Sequence, residues 1–164
     1  MRQKFLILFS IIIFSAMNFA IYEKEQLKAN GETILLELVH VDGPFLRQRA
    51  YMPLRYSLKI NSLLKKQSLK NSIYVVVKAD ENQVAKLIRL HKGEELNLDE
   101  KLLRVKKKGM WYRIQPESFF FQEGQRKHYR NAKYAVFKFS SKDSKHEHML
   151  IGLADEDRQL IIVD

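Results

Sequence analysis

The carboxylate of Glu123 directly follows the apolar residues 119–121, and Gly124 comes after it. A carboxyl group placed beside apolar side chains could act as a general acid or base. An acidic residue is also favoured at the start of a helix by the helix dipole, and a helix is predicted over residues 123–132. Glu123 is therefore a candidate catalytic residue, with a purely structural role as the simpler interpretation, and Gly124 is a candidate turn residue.

Two histidines, His146 and His148, flank Glu147 and could offer two imidazoles. On a strand they would share one face, but no third ligand lies nearby in the sequence, so we interpret them as a loop that enters a strand. The chain has no cysteine, which excludes thiolate chemistry and cysteine metal sites. It also lacks a glycine-rich phosphate loop, a G-x-S-x-G motif and an H-E-x-x-H motif. We predict no metal site and no cofactor.

Basic residues are numerous and give the chain a formal net charge of +10. Such a surface attracts anionic partners, either nucleic acid or the acidic headgroups of a bilayer, although most basic runs are simply solvated faces. Trp111 and Tyr112 next to Arg113 could stack single-stranded bases, or could be an ordinary alternating strand. The basic clusters are Lys65-Lys66, Lys106-Lys107-Lys108, Arg126-Lys127 and the arginines Arg47, Arg49 and Arg55.

The N-terminus decides which of these partners the chain can reach. Residues 5–22 contain no charged side chain and follow Arg2 and Lys4. As a helix they would measure about 27 Å, close to the hydrocarbon thickness of about 30 Å. We favour a retained membrane anchor over a cleaved signal peptide, because the apolar run is long and small residues are not paired before either candidate cut. We expect Arg2 and Lys4 to stay in the cytoplasm and the body to lie outside, although Lys24 and Lys28 weaken that bias.

The rest of the chain has the pattern of a β-rich domain. One predicted strand, AYMPLRYSL, contains Pro53, which restricts it to an edge strand or a bulge. We predict a mainly β fold with about ten short strands in a barrel or sandwich, one or two short helices at 57–68 and 123–132, and the N-terminal transmembrane helix. The strand segments are ETILLELVHV, AYMPLRYSL, SIYVVVKA, VAKLIRLH, KLLRV, MWYRI, SFFF, KYAVFKF, HMLIGLA and QLIIV.

Several segments, in this order, together resemble the GDYXXLXY family of membrane-anchored bacterial proteins. The apolar span running into IYEKEQLKANG, then ILLELVHVD, then Tyr51, Leu54 and Tyr56 in RAYMPLRY look like its anchor, first strand and name-giving motif. SFFFQEG with Glu123 and Gly124, followed by Tyr129, Ala132, Lys133 and Tyr134, is similar to its second block, and MLIGLADEDRQL resembles its closing strands.

The sequence departs from the family motif where Arg49-Ala50 stand in place of Gly-Asp. If that aspartate were catalytic or bound a ligand, this chain could not use it. If the pair only shapes a tight turn, a changed loop could accommodate the replacement. The resemblance implies a membrane-associated domain beside multi-spanning membrane proteins, and it supplies no reaction.

We therefore expect a membrane anchor over residues 1–26 and a single β-rich domain over 27–164, on the periplasmic side of a bacterial inner membrane. The expected role is a non-enzymatic binding or assembly module that meets lipid and a membrane-protein partner. Its expected binding residues are Tyr51, Leu54, Arg55, Tyr56, Phe120, Glu123 and Gly124. The alternative is a tethered hydrolase or transferase acting on envelope material with Glu123 as acid or base. Nucleic-acid binding would need the opposite orientation, and we do not expect it.

Overall fold

The computed structural model describes residues 2–39, 51–64, 71–140 and 147–163, with side chains from residue 6 onward. These residues form three helices and nine strands, so the β-rich fold class predicted from the sequence is confirmed. The elements in chain order are α1 Arg2–Asn30, β1 Glu32–Glu37, β2 Tyr51–Pro53, α2 Ile60–Leu64, β3 Ser72–Ala79, β4 Ala85–Leu90, β5 Glu100–Lys108, β6 Trp111–Ile114, β7 Ser118–Phe120, α3 Arg126–Tyr129, β8 Tyr134–Phe139 and β9 His148–Ala154.

Helix α1 is long and apolar enough to cross a membrane, with a mean hydropathy of 1.9 in its most apolar window. Two polar side chains within the apolar stretch, Ser10 and Asn18, donate hydrogen bonds to carbonyls of the helix itself. Ser10 Oγ donates to the Leu6 carbonyl (2.9 Å) and Asn18 Nδ2 donates to the Phe14 carbonyl (2.8 Å). Polar groups satisfied within the helix are tolerated in lipid, where water is absent. The helix ends at Asn30, directly before the predicted stop at Gly31.

The strands form three antiparallel groups: β1-β8-β9, β2-β7 and β4-β3-β5-β6. Two isolated bridges join the groups. Leu35 pairs with Val84, and Leu38 pairs with Tyr56. As a result the strands curl into a half-barrel around a shared core.

The core follows from the alternation of apolar side chains along the strands. Ile34 and Leu36 of β1 and Phe137 and Phe139 of β8 are fully or almost fully buried within it. Val75 and Val77 of β3 and Leu103 and Val105 of β5 close it from the other sheet. Each such side chain contributes about 1.5–3 kcal/mol when it leaves water, so the strands are held mainly by this packing.

One predicted strand is absent from the described residues, and the predicted helices are shorter than expected. The last segment, QLIIV, makes a single bridge, from Leu160 to Ala154. Ile161 N–H donates to the Leu153 carbonyl (2.9 Å), and the Gln159 carbonyl accepts from Asp155 N–H (3.1 Å). The turn before it contains Arg158 at φ 64°, which leaves the segment beside β9 without a continuous ladder. Helices α2 and α3 have five and four residues. Residues 65–68 of the first predicted helix lie outside the described residues.

The junction between helix and body is tight. Leu27 is buried, the Lys24 ammonium lies 2.8 Å from a Glu147 carboxylate oxygen, and Lys138 Nζ donates to the Gly31 carbonyl (2.9 Å). Helix α1 continues through residue 26 without a break and reaches the β8-β9 sheet. The division into an anchor at 1–26 and a domain at 27–164 stays a prediction.

Candidate binding cleft

The motif residues Leu54, Arg55 and Tyr56 lie in an extended segment that follows β2. Leu54 N–H donates to the Glu117 carbonyl (2.7 Å) on one side of this segment. On the other side, the Arg55 carbonyl accepts from Val39 N–H (2.7 Å), and Ser57 N–H donates to the Glu37 carbonyl (2.9 Å). The motif segment is thus a structural link between β1 and the start of β7.

Two of the motif side chains belong to the core. Leu54 is only 4% exposed and packs in the shared core. The Tyr56 ring lies 6.0 Å from the Phe137 ring, and its hydroxyl donates to the Pro116 carbonyl (2.7 Å). Burial of the hydroxyl raises the pKa of Tyr56 well above its ordinary value. These residues therefore shape the body, and their binding role as predicted from sequence would be indirect.

A cleft of about 350 Å³ opens between the motif segment and strand β6. Its two ends are pinned by hydrogen bonds. At one end, Leu54 N–H donates to the Glu117 carbonyl. At the other end, Asn61 of α2 bonds to the backbone of β6: its Oδ1 accepts from Tyr112 N–H (2.7 Å) and its Nδ2 donates to the Tyr112 carbonyl (3.2 Å). The lining residues are Leu54, Arg55, Tyr56, Leu58, Ile60, Asn61, Trp111, Tyr112, Arg113, Ile114 and Glu117.

The backbone on both sides of the cleft is extended. Because the peptide groups of Arg55 and Ser57 bond to the β1 side, strand alternation directs those of Tyr56 to the opposite side, toward the cleft. Strand β6 is the last of its sheet, and Tyr112 already points away from β5 to Asn61. By the same alternation, the backbone N–H and carbonyl of Ile114 face the cleft as well. The cleft is thus the space between the backbone edge of the motif segment and the backbone edge of β6.

The floor and the rim of the cleft differ in chemistry. Leu54, Ile60 and Ile114 are buried beneath it. The rim carries Arg55, the half-exposed Trp111, and Arg113, whose Nε lies 3.9 Å from a Glu117 carboxylate oxygen. This arrangement can hold a group that is apolar at one end and anionic at the other.

Glu117 is the acidic residue that lines the cleft, and its charge is already engaged. Its carboxylate accepts from Lys108 Nζ (3.0 Å) and from Gln115 Nε2 (3.0 Å). Partial burial by itself raises the pKa of Glu117, but these bonds and the nearby Arg113 outweigh it, so the pKa lies below its ordinary value. Glu117 stays ionised and paired, and positive charge predominates at the rim.

Tyr51 and Phe120 lie on the β2-β7 ribbon, and neither lines the cleft. They are register partners whose ring centroids are 5.8 Å apart, and Phe120 is 74% exposed. Their neighbours Phe119 and Phe121 turn the other way and pack on Tyr129 of α3. The ribbon therefore presents an aromatic pair next to the motif segment, with Phe120 exposed and Tyr51 half-buried.

Glu123 and Gly124 lie in an exposed turn between β7 and α3, and neither lines the cleft. Gly124 has φ +86°, a conformation that favours glycine. Glu123 is exposed to solvent, so the geometry offers no apolar pocket that would adapt its carboxylate to acid–base catalysis. The Arg49-Ala50 pair and His146 lie outside the described residues.

His148, one of the two histidines singled out from the sequence, packs among aromatic rings. Its ring lies 5.5 Å from that of Phe139 and 5.9 Å from that of Phe137. Burial, and then the positive charges of Arg104 and Lys24, lower the pKa of His148 to about 4. Within the described ranges, no group of three or more histidine or acidic side chains is placed to hold a metal ion.

Sequence reasoning missed Asn61 and Glu117 as parts of the site. Asn61 lies inside a short apolar helix, where an amide usually needs a partner, and this was the available signal. The partner, Tyr112, is 51 positions away in the chain, so the contact itself had no local signature.

Comparison with known proteins identifies a family for this chain. No curated protein and no solved structure matches the chain. The family model described as GDYXXLXY protein matches residues 13–142, which include Tyr51, Leu54 and Tyr56 and most of the chain. The chain therefore belongs to the GDYXXLXY protein family.

Proposed function

We propose that this protein is a membrane-tethered binding module whose cleft receives an acidic segment of a membrane-protein partner. The observation that carries the proposal is the cleft itself, with a buried apolar floor, two pinned ends and a rim rich in positive charge. The role is non-enzymatic, and the body lies on the periplasmic side of a bacterial inner membrane.

The tether rests on helix α1. Its apolar length suits a single span, and Ser10 and Asn18 bond to the helix backbone. The orientation rests on Arg2 and Lys4, which precede the span and favour the cytoplasm. A body held beside the bilayer meets other membrane proteins far more often than it meets free solutes, because tethering raises the effective concentration.

The size of the cleft favours a short segment as the ligand. Pockets for small molecules usually measure about 300–1,000 Å³, so this one accepts one or two side chains. Arg55 and Arg113 at the rim suit a carboxylate, and the guanidinium group binds carboxylates with two parallel hydrogen bonds. The buried floor suits an apolar neighbour of that carboxylate.

The half-buried Tyr51 and the exposed Phe120 extend the proposed contact surface along the β2-β7 ribbon. Tyrosine and phenylalanine are enriched at interface cores because they bury a large area with few rotatable bonds. In this proposal Glu123 and Gly124 lie at the edge of the surface. The cleft supplies charge recognition and the ribbon supplies apolar area.

Site-directed crosslinking in native membranes tests the proposal. Because the chain has no cysteine, a single Trp111→Cys substitution places one thiol at the cleft rim and keeps both rim arginines, and Lys127→Cys on α3 is the matched control at another exposed position. We expect the rim position to crosslink to an aspartate- or glutamate-rich peptide of a membrane protein. In the Trp111→Cys background, Arg113→Glu should abolish that product and Lys127→Glu should leave it.

Two results would refute the cleft as the binding site. One is that both cysteine positions crosslink to the same peptides. The other is that the peptide captured at the rim carries no acidic residue, or that Arg113→Glu leaves its yield unchanged.

A further inference from the structure

The turn between β5 and β6 combines positive charge with exposed apolar side chains. Lys106, Lys107 and Lys108 end β5, Gly109 forms the turn at φ 62°, and Met110 and Trp111 follow. Met110 is 87% exposed and Trp111 is 55% exposed. Residues 106–111 are called the basic hairpin below. Such a combination is typical of protein segments that rest in the headgroup region of a bilayer.

The charge of the basic hairpin is largely unneutralised. Lys108 reaches Glu117, whereas Lys106 and Lys107 have no acidic partner within the described residues. Strand register places Lys106 opposite Arg113 and Lys108 opposite Trp111, on one face of the hairpin, whereas Lys107, opposite Tyr112, lies on the other face. Lys106 and Lys107 therefore flank the hairpin on its two faces. Arg104 precedes Lys106 on the first of these faces and bonds to the Ser72 hydroxyl (2.9 Å), not to an acid. The result is a basic stripe that ends at a tryptophan.

Strand β5 passes close to the end of the membrane helix. Near its start, Lys101 Nζ lies 2.9 Å from a carboxylate oxygen of Glu32, which is two residues beyond the last residue of α1. Lys24 Nζ lies 2.8 Å from the carboxylate of Glu147, the residue before His148. Farther along β5, Arg104 is close enough to His148 for its charge to lower the pKa of that imidazole. Lys24 is two residues, or about 3 Å of helix, beyond the apolar stretch that ends at Tyr22. The middle of β5 therefore lies near the level at which α1 leaves the lipid.

The basic hairpin extends from that level. From Arg104 to Lys108 a strand advances about 13 Å, which is about twice the depth of one headgroup region. The exposed tip therefore lies within about two headgroup depths of the level at which α1 leaves the lipid. A free acidic protein would account for the lysines, but it would not account for an exposed methionine and tryptophan at the tip.

We propose that the basic hairpin is a second membrane contact, in which Met110 and Trp111 enter the interface and Lys106 and Lys107 bind the phosphates of anionic lipids. This inference rests on the proposed membrane tether, because it concerns the same bilayer. Trp111 also lines the cleft, so the contact would hold the rim of the cleft beside the headgroups. A partner segment would then enter the cleft as it emerges from the same membrane.

The fluorescence of Trp111 tests this contact, because the chain contains a single tryptophan. The full chain is reconstituted into vesicles of phosphatidylcholine, or of equal parts phosphatidylcholine and phosphatidylglycerol, with brominated acyl chains as quenchers. We expect blue-shifted emission and strong quenching in the anionic vesicles, with weaker quenching in the zwitterionic vesicles and at high salt. Two lysines at the surface together correspond to about a thirty-fold change in the ratio of docked to undocked hairpin.

A double substitution provides the matched comparison. Lys106→Gln with Lys107→Gln should bring quenching in anionic vesicles close to the zwitterionic level. Lys86→Gln with Lys127→Gln removes the same charge from other exposed positions and should leave quenching unchanged. The salt dependence of the wild-type chain gives the same information without a substitution.

The results that overturn the proposal are distinct from those that overturn the tether. If the chain resists alkaline extraction but Trp111 is not quenched, the hairpin contact is wrong and the tether stands. If Trp111 is quenched equally in both lipid mixtures, anionic-lipid binding is wrong. If alkaline extraction releases the chain, the tether and the hairpin contact are both wrong.

Discussion

Lowering the pH from 7 to 4 should weaken the fold through one imidazole, that of His148. Burial between Phe137 and Phe139, together with the charges of Arg104 and Lys24, holds the pKa of His148 at about 4, whereas an unfolded histidine has a pKa near 6.5. Between those values the unfolded chain binds a proton that the folded chain does not, so stability falls as the pH falls.

The magnitude follows from the interval between the two values. Each pH unit within it removes about 1.4 kcal/mol of the free energy of unfolding, so the whole interval accounts for up to about 3 kcal/mol. The stabilisation is fully present above pH 6.5 and is lost as the pH falls through 4. This is a large fraction of the total stability of a typical domain, which is about 5–15 kcal/mol.

His148→Phe isolates this contribution, because phenylalanine fills a similar space beside the two aromatic rings and does not titrate. Urea unfolding of the full chain in detergent, followed by Trp111 fluorescence, gives the free energy of unfolding at pH 7 and pH 4. We expect the variant to lose about 2–3 kcal/mol less than the wild type over this range. His128→Gln, at an exposed position, is the control and should behave as the wild type does. Equal losses in His148→Phe and the wild type would refute the reasoning.

Two further predictions concern the motif residues. Tyr56→Phe removes the hydroxyl that donates to the Pro116 carbonyl and should lower the free energy of unfolding by about 1–2 kcal/mol in urea titrations, whereas Tyr22→Phe in the exposed part of α1 should not change it. Leu54→Ala leaves a cavity in the core and should lower it by about 2–4 kcal/mol, with the fully exposed Leu98→Ala as the neutral comparison. A Leu54→Ala variant as stable as Leu98→Ala would show that the motif leucine is not a core residue.

Much of the fold could be predicted from local pattern. Strands such as β1 and β8 are short apolar runs rich in strand formers and bounded by polar residues, and Gly31 follows the last residue of α1, so each element carries its own signal. QLIIV shows where this reasoning reaches its limit. Its apolar residues are typical of a strand, but the turn at Arg158 leaves it with only one bridge to β9.

The cleft could not be predicted in the same way, because its parts are distant in the sequence. Leu54 and Tyr56 were expected as binding residues, and tertiary packing places them in and against the core. Arg55, between them in sequence, reaches the rim, since successive side chains of an extended segment point to opposite sides. The motif pattern thus singled out this segment, and only the fold separates its buried side chains from Arg55, which lines the cleft.

In the proposed membrane tether, the unbroken helix gives the body a fixed orientation in the plane of the membrane. No loop separates the apolar stretch from Leu27, which is docked against the sheet, so rotation of α1 about its axis turns the whole body with it. Each residue of an α-helix advances the rotation by about 100°. One residue added or removed between Tyr22 and Lys24 would therefore rotate the cleft by about 100° about the axis of α1. The cleft would then face away from any protein that α1 contacts within the lipid.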